Sequence, residues 1–167
     1  VGCWDISGGE SKIKEGADIQ VWELVKYEKD RKYAIEASPK PGFVRIHLEG
    51  IAGYLTVKGG KEKNGTRLEI QSPDNSENQN FSFRYMGNSR FKIVAENGMI
   101  ITLENRSSKN GKAIQMWEDH DGAFTEWCLI GTKSYKMYNP DAEIAKLTGS
   151  IGDNMKGIQP VYIQSAL

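Results

Sequence analysis

Three stretches of this chain repeat one pattern, and that repeat limits the fold more than any other feature. They are Gly16-Ala17-Asp18-Ile19-Gln20-Val21-Trp22-Glu23, Gly65-Thr66-Arg67-Leu68-Glu69-Ile70-Gln71-Ser72 and Gly111-Lys112-Ala113-Ile114-Gln115-Met116-Trp117-Glu118, with the leading glycines 49 and 46 positions apart. Upstream of each glycine lies a short apolar/polar alternation: Trp4-Asp5-Ile6-Ser7, Leu55-Thr56-Val57-Lys58 and Ile101-Thr102-Leu103-Glu104. Such alternation marks a half-buried strand. Downstream come an aromatic position (Tyr33, Phe81, Trp127) and a fourth apolar stretch: Arg45-Ile46-His47-Leu48, Lys92-Ile93-Val94, then Lys136-Met137-Tyr138. A fixed period in the range of 20–50 residues means one supersecondary unit used several times.

Each unit offers four short strands and buries no apolar face alone. Asn64-Gly65, Asn97-Gly98 and Asn110-Gly111 supply the positive φ that tight turns need. Pro39, Pro41 and Pro73 fall between strands, where a missing N–H costs little. The sequence therefore predicts a closed, pseudo-threefold all-β barrel of about twelve strands, because closure removes unpaired edges. It assigns the barrel to residues 1–138, in repeats of about 1–44, 45–90 and 91–138. Residues 139–167 are expected to form a C-terminal extension outside the threefold repeat, with a short helix near 141–147 and a strand, and with Met155-Lys156-Gly157-Ile158 and Val161-Tyr162-Ile163 packing on the barrel or leading into another domain. Closure is expected from antiparallel pairing of Ser134–Tyr138 with Cys3–Ser7. Deleting 139–167 should then leave a folded barrel, and deleting from Ser134 should destroy it.

Lys+Arg and Asp+Glu both number 22, so the formal net charge is zero. The basic excess of a nucleic-acid binder is missing. No apolar run reaches the ~18 residues that span a bilayer. The first residues lack an initiator Met and read as a strand, the expectation for a mature or trimmed chain of a secreted or cell-surface protein. Cys3 and Cys128 cannot build a disulfide framework, and the sequence leaves the bonded and free states both open.

Trp4-Asp5-Ile6-Ser7-Gly8-Gly9 with Ile19-Gln20-Val21-Trp22, Ile114-Gln115-Met116-Trp117 with Trp127, and Asn78-Gln79-Asn80-Phe81 together resemble the ricin-B lectin repeat. The hallmark of that family is Gln-x-Trp, to which Gln79-Asn80-Phe81 is an aromatic variant. Arg31-Lys32-Tyr33 and Thr125-Glu126-Trp127 depart from it. The resemblance implies a β-trefoil, up to one sugar pocket per repeat, and a role as a lectin or as a carbohydrate-binding module tethered to a larger protein. The pockets of the family use an Asp on the first strand, an aromatic on the second, and an Asn-Gln pair before the third. Carried over, this nominates Asp5, Gln20, Trp22, Asp30 and Arg31 in the first repeat, which is the best candidate. It nominates Asn78 and Gln79 in the second, where Thr56 and Gln71 replace the Asp and the aromatic. In the third it nominates Gln115 and Trp117, beside Thr102, Phe124 and Thr125.

Strand geometry supports the aromatic positions independently. Ile19 and Val21 face one side and Gln20 and Trp22 the other, as do Ile114 and Met116 against Gln115 and Trp117. An outward Trp suits stacking on the C–H face of a sugar, and a carboxylate or amide suits its hydroxyls. The bland alternatives are a Trp covered by a loop and an Asp5 that orders the Gly8-Gly9 turn. The expected partner is a glycan. The competing expectation is a non-catalytic protein-binding trefoil, an inhibitor or assembly module. No enzyme, cofactor or metal site is expected: His47 and His120 lie in different repeats, and Glu118-Asp119-His120-Asp121-Gly122 reads as a charged turn without EF-hand spacing.

Overall fold

The computed structural model describes residues 2–24, 29–140 and 160–167. Twelve strands make up the described fold. The first repeat holds β1 (Gly2–Ile6), β2 (Ile19–Glu23), β3 (Tyr33–Ala37) and β4 (Val44–Leu48). The second holds β5 (Tyr54–Val57), β6 (Leu68–Gln71), β7 (Phe81–Gly87) and β8 (Arg90–Ala95). The third holds β9 (Ile100–Leu103), β10 (Ile114–Trp117), β11 (Trp127–Gly131) and β12 (Val161–Ser165). This is a β-trefoil. All pairings are antiparallel and obey the threefold: β1, β5 and β9 form hairpins with β2, β6 and β10. The fourth strand of each repeat pairs with the third of its own and with the first and third of the next. The repeat boundary therefore falls after Leu48 rather than at 44, because β4 is held by β3 from Tyr33↔Leu48 to Ala37↔Val44.

The core follows from the alternation. In β2, Ile19 and Val21 are buried while Trp22 is exposed; in β10, Ile114 and Met116 are buried while Trp117 is exposed. Tyr33, Phe81 and Trp127 open the third strand of each repeat, and all three are fully buried. Trp4 packs edge-on to both Tyr33 and Trp127, with ring centroids 5.7 and 5.6 Å apart. The Trp127 indole N–H donates to the Ile101 carbonyl at 3.0 Å, so this polar atom costs nothing by burial.

The repeat glycines adopt φ values of +84° (Gly16), +89° (Gly65) and +88° (Gly111), where a side chain would be strained. Each turn locks onto the second strand of another repeat. Val21 N–H donates to the Lys112 carbonyl and Gly111 N–H to the Val21 carbonyl; Met116 exchanges the same pair with Thr66 and Gly65, and Ile70 with Ala17 and Gly16. The three hairpins thus form one cyclic cap.

Closure differs from the sequence expectation. The strand beside β1 is β12, with Cys3 opposite Gln164, and not Ser134–Tyr138. Lys136–Tyr138 instead folds back on its own neighbour: Gly131 N–H reaches the Lys136 carbonyl and Tyr138 N–H the Leu129 carbonyl. The reason is apolar content. Val161, Tyr162 and Ile163 are all buried, whereas Tyr135 and Met137 remain exposed. From Ile93 to Ile163 the step is 70 positions rather than the 47 between Ile46 and Ile93, so the period breaks at the strand that closes the barrel. The short helix expected near 141–147 and the stretch Met155-Lys156-Gly157-Ile158 lie outside the described residues.

Cys3 and Cys128 are both free and buried. Both register on Gln164, from the strands on either side of β12. Two strand spacings put their Cα atoms about 9.6 Å apart, beyond the ~7 Å limit of a disulfide.

Candidate functional site

Equivalent positions behave differently in the three repeats. In the second, Gln79 is fully buried and braces the repeat: its Nε2 donates to the Ser72 carbonyl at 2.9 Å and to Thr56 Oγ1 at 3.2 Å, and its Oε1 accepts from Asp74 N–H at 3.1 Å. Arg31 takes the same role in the first repeat. Its Nη1 donates to the Glu23 carbonyl at 2.8 Å and its Nη2 lies 3.6 Å from Asp5 Oδ2. The third repeat has Thr125 here, whose hydroxyl reaches only the nearby Gly122 carbonyl at 2.7 Å. Among the described residues no long side chain spans from this turn to the second strand of its repeat.

A cleft of about 420 Å³ opens where that brace is missing. Trp117, 37% exposed, forms one wall, and Phe124 another; Thr102 and Gln115 lie between them. The Arg106 guanidinium sits 5.0 Å above the Phe124 ring, and the His120 ring lies 5.3 Å from it. Arg67 enters from the second repeat, donating from Nη1 to Gln115 Oε1 and from Nη2 to Glu104 Oε1, both at 2.9 Å. Glu104 also accepts the Ala113 N–H at 3.1 Å. That backbone bond, with Arg67 adding to it against the effect of burial, holds the Glu104 carboxyl below its usual pKa. The loop carrying His120 is pinned from behind by Lys92. The ammonium donates to Asp119 Oδ1 at 2.8 Å, to the His120 carbonyl at 2.9 Å and to Asp121 Oδ1 at 3.0 Å. The turn read from sequence as merely charged is therefore organised around an ammonium. Among the described residues no group of His, Cys, Asp and Glu is arranged to hold a metal.

The residues nominated in the first repeat do come together, but internally. Asp5 is 3% exposed, Asp30 0% and Arg31 4%, so these groups form a buried cluster rather than a shallow surface pocket. Gln20 donates to Asp5 Oδ2 at 3.2 Å. Trp22 stays partly exposed, with the Gly111 turn against its edge. Neither oxygen of Asp30 meets an N–H or hydroxyl donor among the described residues. Burial, then a hydrogen bond to Asp5 and repulsion from it, push the Asp30 carboxyl from 3.8 up to about 7, against the pull of Arg31. In the second repeat the Asn78 amide rests on Gly60, 2.8 Å from where a Cβ would stand, and the crevice there holds only about 10 Å³. Gln115 and Trp117 are the nominated residues that line an open cleft, and Thr102 and Phe124 line it too. Sequence reasoning missed Arg67, Glu104, Arg106 and His120. Arg67 and Glu104 fall within the repeated stretches, just before β6 and just after β9, while Arg106 and His120 lie beyond them, on the turn after β9 and the loop after β10. The aromatic-charge interleaving of Glu118–Phe124 could have signalled His120.

The family model described as "Ricin-type beta-trefoil lectin domain-like" matches residues 20–117. A search of the curated proteins returned no match. Among solved structures, the designed threefold-symmetric protein ThreeFoil is similar at a TM-score of 0.69 and 16% identity, over 75% of this chain and 88% of that one. An exo-β-1,3-galactanase from Clostridium thermocellum is similar at 0.66 and 20% identity, over 76% and 29% respectively. A mosquitocidal holotoxin is similar at 0.63 and 12%, over 75% and 16%. The chain thus spans less than a third of the galactanase and of the toxin.

Proposed function

The chain belongs to the ricin-type β-trefoil lectin domain-like family, and from that premise we propose that it binds carbohydrate in the cleft of its third repeat. The observation that carries this reading is the open cleft walled by Trp117, at the one repeat whose brace is too short to fill it. An exposed indole offers a flat apolar face to the C–H side of a pyranose. Gln115, Thr102 and His120 place amide, hydroxyl and imidazole groups at its edge, where sugar hydroxyls can exchange hydrogen bonds. In this reading the arrangement orients a ligand.

The first repeat has the fuller set of family residue types, but its Asp5 is committed to Gln20 and Arg31. We therefore assign the sugar site to the third repeat and a bracing role to Asp5, Asp30, Arg31 and Gln79. A secreted or cell-surface module, joined to a larger protein, is the setting in which such a site serves. Trp22 and Trp117 keep more than a third of their surface free, which favours a glycan over the competing protein-binding role. The test is a glycan array with the purified chain, followed by titration calorimetry on the best neutral sugar with wild type, Trp117→Ala and Trp22→Ala. Loss of binding in Trp117→Ala alone, with an unchanged melting curve, is expected. Binding that survives Trp117→Ala, or no glycan bound at all, overturns the assignment.

A further inference from the structure

A second cleft, of about 380 Å³, lies beside the first, and the two share Arg67 as a wall. Its lining is basic: Lys58, Lys61, Lys63 and Arg67 contribute four cations and no carboxylate lines it. Gly59, Gly60 and Gly65 put this segment in turns with positive φ. Lys58 is engaged with Asp18 at 3.2 Å and Arg67 with Glu104. Lys61 and Lys63 are exposed and, among the described residues, have no ion pair. In the lining of the sugar cleft, Arg106 is also exposed, stacked on Phe124, and among the described residues has no ion pair. Three cations without an ion pair among the described residues, Lys61, Lys63 and Arg106, thus line the two adjoining clefts, where the one lining carboxylate, Glu104, is paired with Arg67.

We propose that this path binds an acidic polysaccharide, with one sugar on Trp117 and its flanking carboxylate or sulfate groups on Lys61 and Lys63 to one side and Arg106 to the other. The inference rests on the reading of the Trp117 cleft as a sugar site and names the class of glycan it takes. The third repeat lacks the family's first-strand carboxylate, having Thr102 in its place. A carboxylate at that position would repel an anionic sugar; a hydroxyl does not, and the Glu104 carboxylate that does line the cleft is paired with Arg67. Guanidinium over an aromatic ring suits an anionic planar group such as a uronate carboxylate. Two adjoining subsites on one polymer add their effects through effective concentration.

The full chain is titrated with three soluble polymers of matched length: a neutral galactan, a polygalacturonate and a sulfated galactan. Wild type, Lys61→Ala/Lys63→Ala and Trp117→Ala are compared at low and high salt. Wild type is expected to prefer at least one acidic polymer over the neutral one by about tenfold or more at low salt, with the preference shrinking in high salt. The double lysine variant should lose that preference yet hold a short neutral sugar as wild type does. Trp117→Ala should lose both. The carboxylated and sulfated arms show which anion is meant. Equal affinity of wild type for neutral and acidic polymers, or an acidic preference untouched by the lysine substitutions, overturns this inference and leaves the sugar site standing. Acidic binding indifferent to Trp117→Ala, and matched by a DNA oligonucleotide, also overturns it, since the path would then be a general polyanion surface. No binding of any polymer overturns the sugar site as well.

Discussion

Asn64 in the second repeat accepts the backbone N–H of Glu118 in the third, Oδ1 to N 2.9 Å. Asn110 in the third repeat does the same for Glu23 in the first, at 2.9 Å. Glu15 closes the cycle less well, accepting the Ser72 N–H at 3.3 Å. The residue before each repeat glycine is thus the rivet between neighbouring hairpins. Asn64→Ala or Asn110→Ala is expected to cost about 1 kcal/mol each, the usual net worth of one hydrogen bond. Together they should be nearly additive, since the sites share no partner. Urea unfolding of the single and double variants measures this. A loss under a few tenths of a kcal/mol would show that water replaces the asparagine without penalty.

Asp30 makes stability depend on pH in an unusual direction for a carboxylate. Its pKa is raised in the folded chain, so between its ordinary value near 4 and about 7 the native state holds a proton that the unfolded state has released. Stability from this group is full below pH 4 and falls as pH rises towards 7. Asp30→Asn, which cannot ionise, should flatten that fall and gain relative to wild type at pH 8. Denaturation curves at pH 4.5, 6 and 8 decide it; parallel losses for both proteins would assign the trend to other groups.

Lys92 is 3% exposed and holds the Asp119–Asp121 loop that carries His120. Lys92→Met keeps the stem and removes the three donors. Because Asp119 and Asp121 can turn to water, a stability loss of about 1–2 kcal/mol is expected rather than that of a fully buried pair. Sugar affinity should fall more than stability accounts for, since the loop wall of the cleft loosens. Calorimetry well below the melting temperature separates the two effects.

Both thiols should resist modification in the native state. Cys3 is fully buried, and desolvation pushes its pKa up to about 11, so little thiolate exists at pH 8. Treatment with a disulfide reagent should label neither cysteine until denaturant is added, and then label two per chain without prior reduction. A native mass lower by two protons would show a disulfide and refute the strand order.

How far the sequence reveals this molecule can be followed residue by residue. Strand positions from Trp4 to Ile130 were legible because alternation and the Gly16, Gly65 and Gly111 turns recur in register. The closing strand was not. Lys136–Tyr138 falls at the expected period and carries apolar residues, whereas Val161–Ile163 lies beyond a long insertion that breaks it; burial alone, visible only in three dimensions, separates them. The candidate site was half legible. Trp117 and Gln115 follow from the outward face of a strand. That Arg31 braces like Gln79 while Thr125 does not is a matter of side-chain reach, and a family pattern read position by position ranked the first repeat highest for the same residues that fill it.

The closing strand also sets an order of events in synthesis. A ribosome delivers β1 first and β12 last, and until Val161–Ser165 has emerged β1, β3 and β11 each keep an open edge. The contact between Cys3 and Gln164 spans 161 positions. Loop-closure entropy grows only logarithmically, about 0.6 kcal/mol for each doubling of length, so the distance adds little to the equilibrium. It matters for timing. The nascent chain must wait with paired hairpins and unsealed edges, exposed to strand exchange with neighbours on the same polysome, until its final strand arrives to seal it.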